Sequence, residues 1–257
     1  MSETTPQSWD WSEAGQRNVP RFGQVHVWLV CLNDERFDQK TCLGVLPERE
    51  QKRARKFTHP GAREEYVVSR ALLRVLIGGY LDTDPLALKF GSGERGKPFL
   101  REIPGRPVPQ FNMTHANGVA LYAFSMDQAV GVDIERVDRK TRVERVSKRY
   151  FTERESDAIT NLNPECRKEA FIRTWTCKEA CLKWTGQGLA GGLKTHEIVF
   201  SDAWSAPMAF GSGPQPSLTM LDPGAGWIGA LAVARPDPEV VCGVWSGSTN
   251  GVGALFT

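Results

Sequence analysis

Apolar positions along the chain fall into short runs and helical stripes separated by Pro- and Gly-rich turns. Residues 25–31 (V-H-V-W-L-V-C) are rich in β-branched and aromatic side chains and predict a strand. From 47 to about 80 the pattern turns helical, in two pieces broken at His59-Pro60-Gly61. Ala71, Leu72, Val75 and Leu76 form the apolar stripe of the second piece. Short strands are expected at 86–90, 98–100 and 119–124.

A second cycle begins near Gln128: a strand at 129–135, helices at 142–150 and 153–160, and Pro164 as a helix start. A long amphipathic helix over 170–185 is closed by Gly186 and Gly188. Strands follow at 197–200, 217–221, 227–234 and 240–244. Strand, helices and then strands, twice over, predict an α+β fold of two halves. The expected division is a loose tail at 1–20, an N-terminal half at 21–126, a C-terminal half at 127–245 and a flexible Gly/Ser-rich tail at 246–257.

Composition narrows the class. The chain is 40% hydrophobic and 24% charged, as in ordinary globular proteins, and its formal charge of +2 supplies no general field for nucleic acid. Any anion site must be local. No apolar run reaches the roughly 20 residues that a membrane helix needs. The first ten residues lack the basic and apolar segments of a signal peptide. The six cysteines form no C-x-x-C pair, and nothing completes a zinc set around Cys177 and Cys181. Reduced thiols and a cytoplasmic location are expected.

Candidate chemistry centres on Gly131-Val132-Asp133-Ile134-Glu135. In a strand Val130, Val132 and Ile134 share one face, while Asp133 and Glu135 share the other, about 7 Å apart. Gly131, on the carboxylate face, leaves room for a ligand. Two carboxylates among apolar residues require a positive partner, either a hard divalent cation or a Lys or Arg. On the long helix Phe171, Trp175, Glu179 and Lys183 recur every four residues and lie along one stripe. Glu179 and Lys183 then form either an i,i+4 ion pair or part of a site.

With G-V-D-I-E followed about 35 residues later by F-x-x-x-W-T-x-K-E-A-x-x-K, the chain resembles the 4′-phosphopantetheinyl transferases of the long, surfactin-synthetase-activating type. Gly96-Lys97-Pro98-Phe99 and Phe111-Asn112-Met113-Thr114-His115 add to the resemblance, which covers roughly residues 45–200. It implies two pseudo-symmetric α+β halves, a monomer, and coenzyme A in the cleft between the halves. It further implies Mg²⁺ held by Asp133, Glu135 and Glu179. Lys97, Thr114, His115 and Lys183 would contact the phosphates, Thr114 standing where members often carry Ser. The basic stretch from Arg49 to Lys56, with Arg63 and Arg70, would serve the 3′-phosphate and adenine end. Arg53 and Arg70 are the residues expected to do so, although the spacing leaves Arg49 and Lys52 open.

The implied reaction transfers phosphopantetheine to a serine of an apo acyl- or peptidyl-carrier protein. Asp133, Glu179 and Lys183 would be catalytic, with Glu179 or a metal-bound water as base and Lys183 stabilising the departing 3′,5′-ADP. A metal-dependent nucleotide phosphohydrolase is the alternative. It explains the three carboxylates but does not need Lys97 or the Thr114-His115 pair. A nucleotide- or RNA-binding module built on the 49–56 stretch is a third reading, opposed by the near-zero net charge.

Overall fold

The computed structural model describes residues 18–188, 192–201, 204, 206–224 and 226–245. The 246–257 tail and most of the 1–20 tail lie outside them. A four-stranded sheet has the order β11 (Glu239–Val244), β1 (Gln24–Cys31), β5 (Val119–Ser125), β4 (Gln110–Ala116). A three-stranded sheet has the order β6 (Val130–Arg136), β10 (Trp227–Val233), β9 (Ser217–Leu221). All pairs are antiparallel except β1 with β11. Two hairpins, β2 (Phe90–Ser92) with β3 (Pro98–Leu100) and β7 (Glu197–Ser201) with β8 (Ala206–Phe210), flank the sheets.

Strand alternation builds four layers. Val25 and Val27 of β1, with Leu121 and Ala123 of β5, meet Val130, Val132 and Ile134 of β6 and Leu231 and Val233 of β10 in one cluster between the sheets. The intervening residues Trp28, Val30, Ala120, Tyr122 and Phe124 face the other way, onto helix α3 (Pro60–Leu81). On the opposite side Ala230 and Ala232 of β10 lie against Cys177, Ala180 and Cys181 of helix α6 (Pro164–Thr185). Each half thus has one 22-residue helix with proline in its first turn and a left-handed residue after its last, Asp82 or Gly186. The fold is α+β, as expected. Among the described residues no helix is long and apolar enough to cross a membrane.

Helices α1 (Gln39–Gly44), α2 (Glu48–Ala54), α4 (Val143–Tyr150) and α5 (Glu153–Thr160) are the remaining α-helices among the described residues. Several elements differ from the sequence reading. Helix α1, nucleated by the Asp38 side chain accepting from Thr41 N, and strands β4 and β8 had no counterpart. The strand expected at 86–90 begins only at Phe90. Upstream, the Arg74 guanidinium takes the carbonyls of Pro85 and Leu88 at 2.7 and 3.0 Å, leaving those groups no role in a ladder. Strand β11, placed by sequence order in the C-terminal half, returns to pair with β1 in the first sheet.

Helix α6 runs without a break from Pro164, the helix start read from the sequence, through the expected 170–185 stretch, and is enclosed by α5, β7 and the second sheet. Its Lys178 is buried: Nζ donates to Glu155 Oε1 and Oε2 at 2.5 and 2.7 Å and to the His196 carbonyl at 2.5 Å. Glu155 Oε1 also accepts from Ile198 N. This ion pair, 1% and 2% exposed, rivets α5, α6 and β7 together. Lys178→Ala should strand the Glu155 charge and cost about 3–5 kcal/mol in urea denaturation. Lys178→Met combined with Glu155→Leu should recover most of that loss, because the cost lies in the unpaired charge.

Candidate active site

Strand β6 turns Gly131, Asp133 and Glu135 toward α6. Gly131 does not leave space for a ligand, as the sequence suggested. A Cβ there would lie 2.1 Å from the Ala180 carbonyl and 2.4 Å from Trp184 N, so helix backbone fills the position. That close approach carries Glu179 and Lys183 over the strand. Asp133 is 4% exposed. Its Oδ1 accepts from Lys183 Nζ at 2.6 Å and from Thr114 Oγ1 of β4 at 3.0 Å, and Lys183 also donates to Thr114 Oγ1 at 2.8 Å. Lys183 and Asp133 therefore meet Thr114 across the inter-half boundary. Beside this triad, Asn112 Oδ1 accepts from Val132 N at 2.9 Å, tying β4 to β6 one residue before Asp133.

Among the described residues the second Asp133 oxygen, Oδ2, is buried without a hydrogen-bond partner. Burial, then the charges of Asp133 and Glu135, push the Glu179 carboxyl up to about 7 against the pull of Lys183. Burial and the Asp133 charge likewise raise Glu135, even though Arg139 is ion-paired with it. Arg139 in turn lies over the Trp175 ring at 5.2 Å. The site is thus short of positive charge and holds an orphaned oxygen, which suits a hard divalent cation. Among the described residues no three acidic, His or Cys side chains already close on one metal position. That is compatible with Mg²⁺, which is usually bound by one or two carboxylates completed by substrate phosphates and water.

Thr114 and His115 point to opposite sides of β4. His115 is 42% exposed with Nδ1 3.7 Å from Glu65 of α3, and burial lowers its pKa. Lys97 was expected to be free to reach an anion. Its Nζ instead donates to the Val130 and Trp184 carbonyls at 3.0 and 3.1 Å, and burial lowers its pKa to about 8. With Arg95, which donates to the Gln187 carbonyl, it clamps the β2–β3 turn onto the end of α6. A cleft of about 710 Å³ opens there, lined by Lys97, Phe99, Gln110, Trp184 and Gly186. Arg70 donates to Glu50 at 2.6 Å and is 14% exposed, and Arg74 donates to the other Glu50 oxygen at 2.8 Å. Burial works to raise Glu50, but the two guanidiniums hold it below its ordinary value. Arg53 is exposed, 5.5 Å above the Tyr66 ring. Glu50 and Arg74 went unnoticed in the sequence. The signal was there, an acid within a basic run and two arginines four residues apart on α3.

Two family models match in succession: "4'-phosphopantetheinyl transferase, N-terminal" over residues 34–126 and "4'-phosphopantetheinyl transferase superfamily" over 129–227. The 4'-phosphopantetheinyl transferase HetI of Nostoc sp. is 33% identical over 211 residues, covering 82% of this chain and 88% of its own. The chain belongs to the 4′-phosphopantetheinyl transferase superfamily. The transferase Sfp of Bacillus subtilis is 26% identical, over 76% of this chain and 85% of its own. A solved holo-[acyl-carrier-protein] synthase from Thermotoga maritima has a partial likeness, covering 42% of this chain and 62% of its own at a TM-score of 0.34 and 24% identity.

Gly131→Ala tests the seat of α6. Forcing the helix off β6 should cost at least about 1–3 kcal/mol in thermal or urea unfolding. Transferase activity should fall further than stability alone explains, because Glu179 and Lys183 ride on that helix.

Proposed function

We propose that this chain moves the 4′-phosphopantetheine arm of coenzyme A onto a serine hydroxyl of an apo acyl- or peptidyl-carrier protein, with Mg²⁺ held by Asp133, Glu135 and Glu179. The observation that carries the reading is the orphaned Asp133 Oδ2, with Glu135 and Glu179 near enough for their charges to act on one another, on a chain that belongs to this superfamily. Nothing in the matches favours the phosphohydrolase alternative.

The serine oxygen forms a bond to the β-phosphorus, and the bond from that phosphorus to the bridging oxygen breaks, leaving 3′,5′-ADP. Glu179, poised near neutrality, accepts the serine proton directly or through water. Mg²⁺, when bound, would neutralise charge on the diphosphate. Lys183 and Thr114, already at Asp133, offer donors to the same oxygens. His115 at the rim and the exposed Arg53 are open to the remaining phosphate. Arg70 and Lys97 hold protein partners and shape the site around it. Because Thr114 and Asp133 come from different halves of one chain, a monomer would suffice. Cysteines that are all unpaired suit a reducing cytoplasm.

The carrier would arrive over α4. A groove there is lined by Lys140, Arg142, Arg145 and Arg149 with Val146 and Tyr150, and Tyr150 packs edge-on against Trp175, 6.3 Å away. Cations around an apolar floor fit an acidic helix with a few exposed apolar residues.

Incubation with coenzyme A, Mg²⁺ and a panel of apo carriers should add the mass of one phosphopantetheine to at least one carrier. Unchanged carriers together with release of 3′,5′-ADP would favour the phosphohydrolase. Glu179→Gln should abolish transfer while coenzyme A still binds. Protons and metal compete for Glu179, whose pKa is raised, so the apparent Mg²⁺ affinity of the wild type should weaken as the pH falls below about 7. Arg145→Glu should raise the KM for an acidic carrier on the order of tenfold with kcat little changed.

A further inference from the structure

Three lysines lie on or against α6, and their acceptors differ in kind. Lys97 donates to two main-chain carbonyls. Lys178 is fixed by Glu155 and the His196 carbonyl. Among the described residues Lys183 donates only to side chains of the site itself, Asp133 Oδ1 and Thr114 Oγ1. It is also partly open, with 27% of its side chain exposed. A four-carbon stem, side-chain acceptors alone and an open flank leave this ammonium free to swing outward.

Asp133 can neutralise one cation at a time. With the ammonium on Oδ1, a dication on the adjacent Oδ2 would face it across a single carboxylate group. The other cation at the site, Arg139, is ion-paired with Glu135, so it does not relieve that conflict. A diphosphate would. It brings several negative charges, offers the ammonium new acceptors and supplies the metal with oxygens that the protein lacks. We propose that Lys183 is an internal counter-cation that keeps free Mg²⁺ out of the site until a diphosphate draws its ammonium off Asp133, so that metal and coenzyme A enter together. The proposal rests on the reading that Asp133, Glu135 and Glu179 hold the metal. By linkage, coenzyme A then raises metal affinity and metal raises coenzyme A affinity by the same factor.

The test titrates Mn²⁺ into the full chain with and without coenzyme A, following the free ion by electron paramagnetic resonance and correcting for the Mn²⁺–coenzyme A complex in solution. The wild type should bind Mn²⁺ weakly alone and ~5- to 150-fold more tightly with coenzyme A, the usual span of coupling between sites. Lys183→Met should bind Mn²⁺ alone more tightly by a factor in that range, and coenzyme A should add less than it adds to the wild type, keeping only the part due to its own metal-binding oxygens. Lys183→Arg, which keeps the charge, should retain coupling. Equal Mn²⁺ affinity of wild type and Lys183→Met without coenzyme A, both binding, overturns the proposal and leaves the metal site standing. Absence of Mn²⁺ binding to any form, even with coenzyme A, overturns both. Should Lys183→Met fail to fold by circular dichroism, the wild-type comparison still decides, since no gain on adding coenzyme A refutes the coupling.

Discussion

A carboxylate that is 4% exposed and has one oxygen without a partner is expensive to bury, and Asp133 sits in the middle of the molecule in that condition. Its cost is offset on one oxygen by Thr114 from the first half and Lys183 from the second. On the other oxygen nothing offsets it. Structural ion pairs elsewhere in the chain are closed: Glu155 satisfies both oxygens with Lys178, and Glu50 spends both on Arg70 and Arg74. The unfinished state of Asp133 is what separates a site from a rivet.

The layers exist to bring three distant segments to that residue. Alternation in β1, β5, β6 and β10 seals an apolar core between the sheets, which leaves the opposite face of β6 for α6. Small residues set the distance. Gly131, Ala230 and Ala232 let the helix approach until its backbone touches the strand, and the stripe of Glu179 and Lys183 then overhangs Asp133. Polar contacts add to the apolar core across the inter-half seam: Asn112 accepts from the Val132 amide, and Lys97 donates to the Val130 and Trp184 carbonyls. Because the site straddles this seam, both halves contribute side chains to it.

Much of this was legible in the sequence, for local reasons. Strand alternation put Asp133 and Glu135 opposite Val132 and Ile134, and a spacing of four put Glu179 and Lys183 on one stripe, as the structure has them. Pro60, Pro164 and Gly186 marked helix ends through their own backbone preferences. The failures were of tertiary origin. Nothing near Gly131 says that its neighbour is a helix and not a ligand. Lys97 and Arg70 read as free cations because their acceptors, Trp184 O and Glu50, lie 87 and 20 residues away. Strand β4 is an edge strand with a motif in place of a regular apolar pattern, and β11 joins a sheet whose other members ended more than 100 residues earlier. The superfamily resemblance carried what spacing could not, namely coenzyme A and a carrier serine.

The central claim is that Asp133, Glu135 and Glu179 form one metal site completed by a diphosphate. Crystals grown with Mn²⁺ and coenzyme A, measured near the manganese absorption edge, test it most directly. The account predicts a single anomalous peak in contact with oxygens of those carboxylates and of the diphosphate, with Lys183 Nζ moved from Asp133 to a phosphate. A peak elsewhere, or a bound coenzyme A with no metal between its diphosphate and Asp133, would contradict it.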